Sequence, residues 1–180
     1  MVFLFSRKKS VSNRLKTLID DLYANSAFRI FFFASLPVLA AIIGFVFTYQ
    51  KIDTWYAILN KPWFTPPNAV FGPVGSTLYL LMIVSAILVA THKKVNSSDA
   101  KQGFIWFTKQ LALNTLWSIA FFGLENLFVG LLVILLLIAS VLITMQYFYR
   151  VSKPAAYLLI PYLVWISFAT LLNLGVWLLN

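Results

Sequence analysis

Five long apolar stretches occupy this chain from Phe28 to its last residue, and one polar-aromatic loop between Trp55 and Tyr79 interrupts them. About 20 apolar residues in a helix match the roughly 30 Å hydrocarbon core of a bilayer. In hydrocarbon every backbone N–H and C=O must find an internal partner, which leaves helices as the economical solution for such segments. A soluble fold is excluded by what would have to cover it: 61% of the residues are hydrophobic and 11% charged, where soluble domains carry about 25% charged residues. The sequence predicts an all-α integral membrane protein, a bundle of five transmembrane helices over roughly 28–49, 71–91, 104–124, 127–149 and 155–179, forming one domain over 28–180. Pro37 and Pro161 fall inside the first and fifth stretches and predict kinks. Pro154 suits the first turn of the fifth. The short links Gly123–Asn126 and Arg150–Lys153 make stretches three, four and five antiparallel neighbours.

Residues 1–27 are polar. Val11, Leu15, Leu18 and Leu22 recur at helical spacing among Arg7, Lys8, Lys9, Arg14 and Lys16. Two readings stand: a basic amphipathic helix lying on the membrane surface, or a disordered tail.

The formal charge is +9, and its placement points to membrane topology and anionic lipid; nucleic acid is not an expected partner. Of the 14 basic residues, ten lie before the first stretch, in the 92–103 loop or in the 150–153 loop; Arg29 lies at the very start of the first stretch on the same side, and Lys109 lies near the inner end of the third stretch. Only Lys51 and Lys61 lie on the other side. The N-terminus is therefore expected in the cytoplasm, with the 50–70 loop and the C-terminus outside.

Catalytic and metal constellations are missing. The chain has no cysteine and a single histidine, His92, in a basic loop. Asp20, Asp21, Asp53, Asp99 and Glu125 are scattered over loops and the tail, without a carboxylate pair or a metal-ligand spacing. No charge falls mid-membrane, which argues against an ion-coupled transporter. No metal or cofactor is expected.

What the chain offers is an aromatic pocket. The 50–70 loop carries Trp55, Tyr56, Lys61, Trp63 and Phe64, and four prolines fall within the 12 residues from Pro62 to Pro73. It reads either as an interfacial aromatic belt or as a rigid lid over a bundle mouth, with Lys61 available to a ligand carboxylate. On the third stretch Gln110, Asn114, Trp117 and Phe121 share one helical face, where amides need protein partners. On the fifth, Pro161, Trp165, Ala169 and Leu172 form a stripe, with a niche beside the Trp165 indole at Ala169. A cavity built from Asn114, Trp117, Trp165 and Ala169 under the loop would be aromatic and nearly uncharged. It suits a flat, largely apolar ligand rather than an ion or a sugar.

At these residues the chain resembles the translocator protein family, also called tryptophan-rich sensory proteins. The matching pieces are Trp55-Tyr56-x-x-Leu59-x-Lys61-Pro62-x-x-x-Pro66-Pro67, Phe71-Gly72-Pro73-Val74 with Leu78-Tyr79, Gln110-Leu-x-Leu-Asn114-x-x-Trp117 with Phe121-Phe122, and Pro161-Tyr162-x-x-Trp165-x-x-Phe168-Ala169-x-x-Leu172-Asn173. The resemblance implies five helices, a homodimer and a pocket beneath the first loop. Its implied ligands are porphyrins such as protoporphyrin IX, haem and flat synthetic drugs, in a bacterial or archaeal cell membrane. Ligand contacts are expected from Trp55, Lys61, Pro66, Asn114, Trp117, Phe121, Trp165, Ala169 and Leu172. Two other functions accompany it: light-dependent degradation of protoporphyrin IX, for which Trp165 is the candidate catalytic residue, and porphyrin transport. The family's Phe-Gly-Pro-Val is normally followed by Trp, and Gly75 stands there in this chain. That departure weakens the degradation reading. The animal cholesterol motif is absent from the C-terminal residues.

Overall fold

The computed structural model describes residues 25–180. The amphipathic-tail reading lies outside the described residues, apart from the start of the first helix. No strand forms among the described residues.

Helix α1 spans Ser26–Ile52 and is capped by Asn25, whose side chain accepts from the N–H groups of Ala27 and Phe28 at 3.0 and 3.1 Å. That cap satisfies two of the donors a helix start leaves orphaned. Buried Arg29 donates from Nε to the carbonyl of Ala90 at 2.9 Å. A cation there meets the negative end of the next long helix and ties the start of α1 to the end of that helix. A single turn, α2 (Trp55–Ile58), and a 3₁₀ turn at Asn68–Val70 carry the chain into α3, Phe71–Ala90.

Helix α4 runs Ser98–Ser118. It starts six residues before the sequence expectation, because Ser97 caps it by accepting from the Ala100 N–H at 3.2 Å and Asp99 sits in its first turn. The end of the expected 92–103 loop is thus helical. The helix widens into a π turn over Ile119–Gly123. There Leu124 donates to the carbonyl of Ile119 at 2.8 Å. Glu125 reverses the chain with φ of 53°, and Asn126 caps α5, Leu127–Val151, by accepting from the Val129 N–H at 3.0 Å.

The expected kink at Pro161 is instead a break. A short α6, Lys153–Tyr157, is separated by two residues from α7, Ile160–Leu179. Proline at 161 has no N–H to return to the Tyr157 carbonyl, so the helix restarts with Pro161 in its first turn, a position that tolerates it. Pro154 sits in the first turn of α6, as expected.

Among the described residues, four segments are long and apolar enough to cross a membrane: Ser26–Ile52, Asn68–Ala90, Leu127–Val151 and Lys153–Leu179. Helix α4 carries Lys101, Lys109, Gln110 and Asn114 and is not among them. It packs along α5 and against α1. The end of the bundle that carries Arg29 is solid. Phe33 stacks on Phe104 at 3.7 Å, and Phe104 and Phe107 close on Phe148 at 5.8 and 5.6 Å. Gly103 permits that, since a Cβ there would lie 2.8 Å from the Phe148 ring. The other end is hollow.

Candidate functional site: an aromatic cavity under a clamped loop

A cavity of about 640 Å³ lies among α1, α3, α4, α5 and α7 at the end that carries the 53–70 loop. Apolar and aromatic side chains supply most of its wall. Ile52, Tyr56, Asn68 and Phe71 close it from above. Met82, Ile134, Leu137 and Ile166 lie deeper among its lining residues.

The roof is fixed at several points. Tyr56 is buried, edge-on to Phe71 and Phe122, and burial raises its phenol above the ordinary value of 10.0. At the far side of the loop, the Asn60 N–H donates to Oδ1 of Asn180 at 3.0 Å, and Nδ2 of Asn180 returns a bond to the Asn60 carbonyl at 3.0 Å. Pro62 packs so closely on Gly175 that a Cβ at 175 would overlap its ring. Lys51 and Glu125 pair at 2.6 Å beside these contacts. The loop, the C-terminus and the α4–α5 turn therefore share one end of the molecule.

Inside, two amides organise the polar atoms. Tyr79 donates its hydroxyl to Oδ1 of Asn114 at 2.6 Å, and Nδ2 of Asn114 donates to the Tyr162 hydroxyl at 3.0 Å. One side chain on α4 thus joins α3 and α7. Nearer the loop, Trp117 Nε1 donates to Oδ1 of Asn173 at 3.2 Å, while Asn173 Nδ2 donates to the Leu127 carbonyl at 2.8 Å. Gly130 makes room for this second junction, since a Cβ there would sit 3.1 Å from Asn173 Oδ1. Gln110, the third amide on the α4 face, is fully buried with neither side-chain polar atom bonded among the described residues.

Of the nine residues expected to contact a ligand, Asn114, Trp117, Phe121, Trp165, Ala169 and Leu172 line the cavity. Trp117 and Phe121 stack at 5.3 Å and 25°. Trp165 sits edge-on to Phe71 at 5.9 Å. The structure does not bring Trp55, Lys61 or Pro66 to the lining. Trp55 packs behind the wall, edge-on to Phe121 and Phe122. Lys61 donates to the carbonyls of Ala57 and Leu59 at 3.1 and 3.2 Å and lies over the Tyr56 ring. Pro66 belongs to the outer part of the loop and is half-buried. None of these three lies in the chamber wall.

Sequence reasoning missed Tyr56, Tyr79 and Tyr162 as lining residues. A signal existed for Tyr162, which lies three, seven and eleven residues before Trp165, Ala169 and Asn173 on one face of α7. Apart from tyrosines, the cavity lining contains no ionisable side chain, and no group of three His, Cys, Asp or Glu residues that could hold a metal occurs among the described residues. Such a chamber can stack on and enclose a ligand.

The same residues decide the family. The TspO/MBR family model matches residues 33–178, which include every side chain of the cavity wall. The chain belongs to the TspO/MBR family. It is 48% identical over 148 residues to the tryptophan-rich protein TspO of Archaeoglobus fulgidus, covering 81% of this chain and 93% of that protein. It is 38% identical over 130 residues to the tryptophan-rich sensory protein of Cereibacter sphaeroides, covering 72% and 79%. The human translocator protein is 38% identical over 145 residues, covering 81% and 86%. As a TspO/MBR member with long apolar helices, the chain is an integral membrane protein.

Proposed function

We propose that this protein is a membrane receptor or sensor that binds porphyrin-type tetrapyrroles, or similarly flat hydrophobic molecules, in the cavity beneath the 53–70 loop. The observation that carries this reading is the chamber itself. It holds about 640 Å³ between aromatic walls, and its amides Asn114 and Asn173 are already engaged with protein partners. Binding would rest on stacking and apolar enclosure by Trp117, Phe121 and Trp165, with the remaining Asn114 amide hydrogen and the Tyr79 and Tyr162 hydroxyls to orient polar substituents.

In this reading α4 is the fifth transmembrane helix. Its polar side chains support that: Asn114 and Gln110 are turned into the bundle, and Lys109 lies over the Trp106 ring. The basic inner loops favour a cytoplasmic N-terminus, with the lid outside a bacterial or archaeal cell membrane. A homodimer is part of the proposal; the close Ala40-x-x-x-Gly44 spacing does not carry it, since both residues are buried within the protomer and Gly44 packs against Ser118 of α4.

The test is titration of the detergent-purified protein with protoporphyrin IX, following tryptophan fluorescence in the dark and then porphyrin absorbance under light. Saturable quenching with a stable Soret band supports a receptor. Saturable quenching with bleaching faster than that of free porphyrin supports the degrading enzyme, with Trp165 acting without a partner at Gly75. Absence of saturable quenching removes tetrapyrroles as the ligand class.

A further inference from the structure

The cavity is closed above but open at its side. Its lining includes Ile42, Phe45 and Tyr49 of α1, which are 56%, 61% and 65% exposed, facing Gly72, Gly75 and Ser76 of α3. Residues that both line a chamber and face outward form the rim of an opening. The two glycines keep it clear: a Cβ at Gly72 or Gly75 would meet nothing within 4 Å. The neighbouring seam of α1 is shut. There a Cβ at Gly44 would lie 3.2 Å from Ser118 Oγ, so α1 and α4 are in close contact. The opening thus lies between α1 and α3 alone of α1's two neighbours along this stretch. Above it, the Asn60–Asn180 pair and the Pro62–Gly175 contact hold the loop down.

Depth places this opening in hydrocarbon. Gly72 and Ser76 lie one and five residues into α3, and Ile42 lies ten residues before the end of α1. At about 1.5 Å per residue, the rim extends from the membrane surface to roughly 15 Å in. Its α1 side is Ile, Phe and Tyr, side chains suited to acyl chains rather than water.

We propose that the cavity takes its ligand sideways, from the bilayer leaflet on the side of the 53–70 loop, and that Gly72 and Gly75 are the residues that hold this window open. The inference rests on the tetrapyrrole reading for its ligand and is independent of it for its geometry. It implies selection for amphiphiles already partitioned into that leaflet. It also leaves room for a substituent to trail through the window into lipid while the flat ring system stays enclosed.

The test uses full-length protein in nanodiscs and protoporphyrin IX delivered from vesicles, with stopped-flow tryptophan quenching. Gly72→Leu with Gly75→Leu is expected to slow both association and dissociation tenfold or more, because two isobutyl groups would occupy the rim. Leucine is a better helix former than glycine, so the variant keeps α3. Asn180→Ala, which removes both bonds to the Asn60 backbone and so loosens the lid, is expected to change these rates less than twofold. The reverse pattern, with rates indifferent to the leucines and accelerated by Asn180→Ala, would mean entry over the top and would overturn the window.

A second readout needs no porphyrin. The chain has no cysteine, so Ser76→Cys can carry a single spin label. Relaxation by oxygen exceeding that by a water-soluble nickel chelate is expected. The opposite ranking would show a water-filled mouth and refute the proposal. If wild-type protein fails to bind protoporphyrin IX, the tetrapyrrole reading falls, and the spin label still decides whether the window opens to lipid.

Discussion

The Tyr79 hydroxyl donates to Oδ1 of Asn114 at 2.6 Å, and the amide nitrogen of Asn114 continues the chain to Tyr162 at 3.0 Å. Three helices thus meet at one amide, in a wall that is otherwise mostly apolar apart from the Trp117–Asn173 junction nearer the loop. Interhelical hydrogen bonds in membranes average about 0.6 kcal/mol and reach about 1.7. Asn114→Ala removes two and leaves two buried hydroxyls short of a partner, so a loss of about 2 kcal/mol is expected. Tyr79→Phe removes one bond and should cost about 1 kcal/mol. Reversible unfolding in mixed detergent micelles measures both. Equal losses for the two variants would show that Tyr162 contributes nothing through Asn114.

The long helices were legible in the sequence because hydrophobic runs register directly as spans. The opposed faces of α4 and α7 were legible too, since Asn114, Trp117, Trp165 and Ala169 keep helical spacing. Other features hang on events without a periodic signal. The π turn at Ile119–Gly123 depends on one i→i+5 bond closing beside Glu125. The helix break at Leu158–Leu159 shows how a proline can start a helix that the apolar pattern runs straight through. Lys61 reads as a ligand partner until the folded loop supplies two backbone carbonyls and an aromatic ring for it. The lateral opening is a property of two absent side chains and of the spacing between helices, which sequence patterning does not report.

Trp165 and Lys61 should separate in ligand binding. Trp165 exposes its ring to the cavity beside Phe71, whereas Lys61 is engaged in the roof. Aromatic contacts are worth about 0.5–1.5 kcal/mol beyond burial, so Trp165→Leu should weaken protoporphyrin IX roughly fivefold. Lys61→Gln should change the dissociation constant less than about twofold. Dark fluorescence titrations, read through the remaining tryptophans, provide both numbers. A larger effect at Lys61 than at Trp165 would place the binding determinant on the loop.

At the α4–α5 turn, Glu125 holds φ of 53° while its carboxylate meets Lys51 at 2.6 Å. Left-handed backbone costs a non-glycine residue roughly 1–2 kcal/mol, and a pair this exposed returns only about 0–1 kcal/mol. Glu125→Gly should therefore leave stability unchanged or raise it by about 1 kcal/mol. Glu125→Val, β-branched at the same φ, should lower it by more than about 1 kcal/mol. Thermal unfolding in detergent decides between backbone and charge. If Glu125→Gly is strongly destabilising, the pair with Lys51 is what holds the turn.

The lid is held from the far end of the chain. Asn180 exchanges two hydrogen bonds with the Asn60 backbone and also donates to the Val176 carbonyl at 2.7 Å, which fixes its side chain on the last turn of α7. Asn180→Ala removes all of these, each worth about 0.5–1.5 kcal/mol net. Global stability should change little, because the loop is peripheral to the bundle core. Local opening should become more frequent by tenfold or more, which hydrogen exchange of the 55–65 amides reports. Gly175→Ala reaches the same contact from the opposite direction, since its methyl would overlap the Pro62 ring and lift the loop. Both variants should speed exchange in the loop while leaving α4 and α5 protected. Faster exchange throughout the bundle would instead mean that the C-terminal clamp supports the helices themselves.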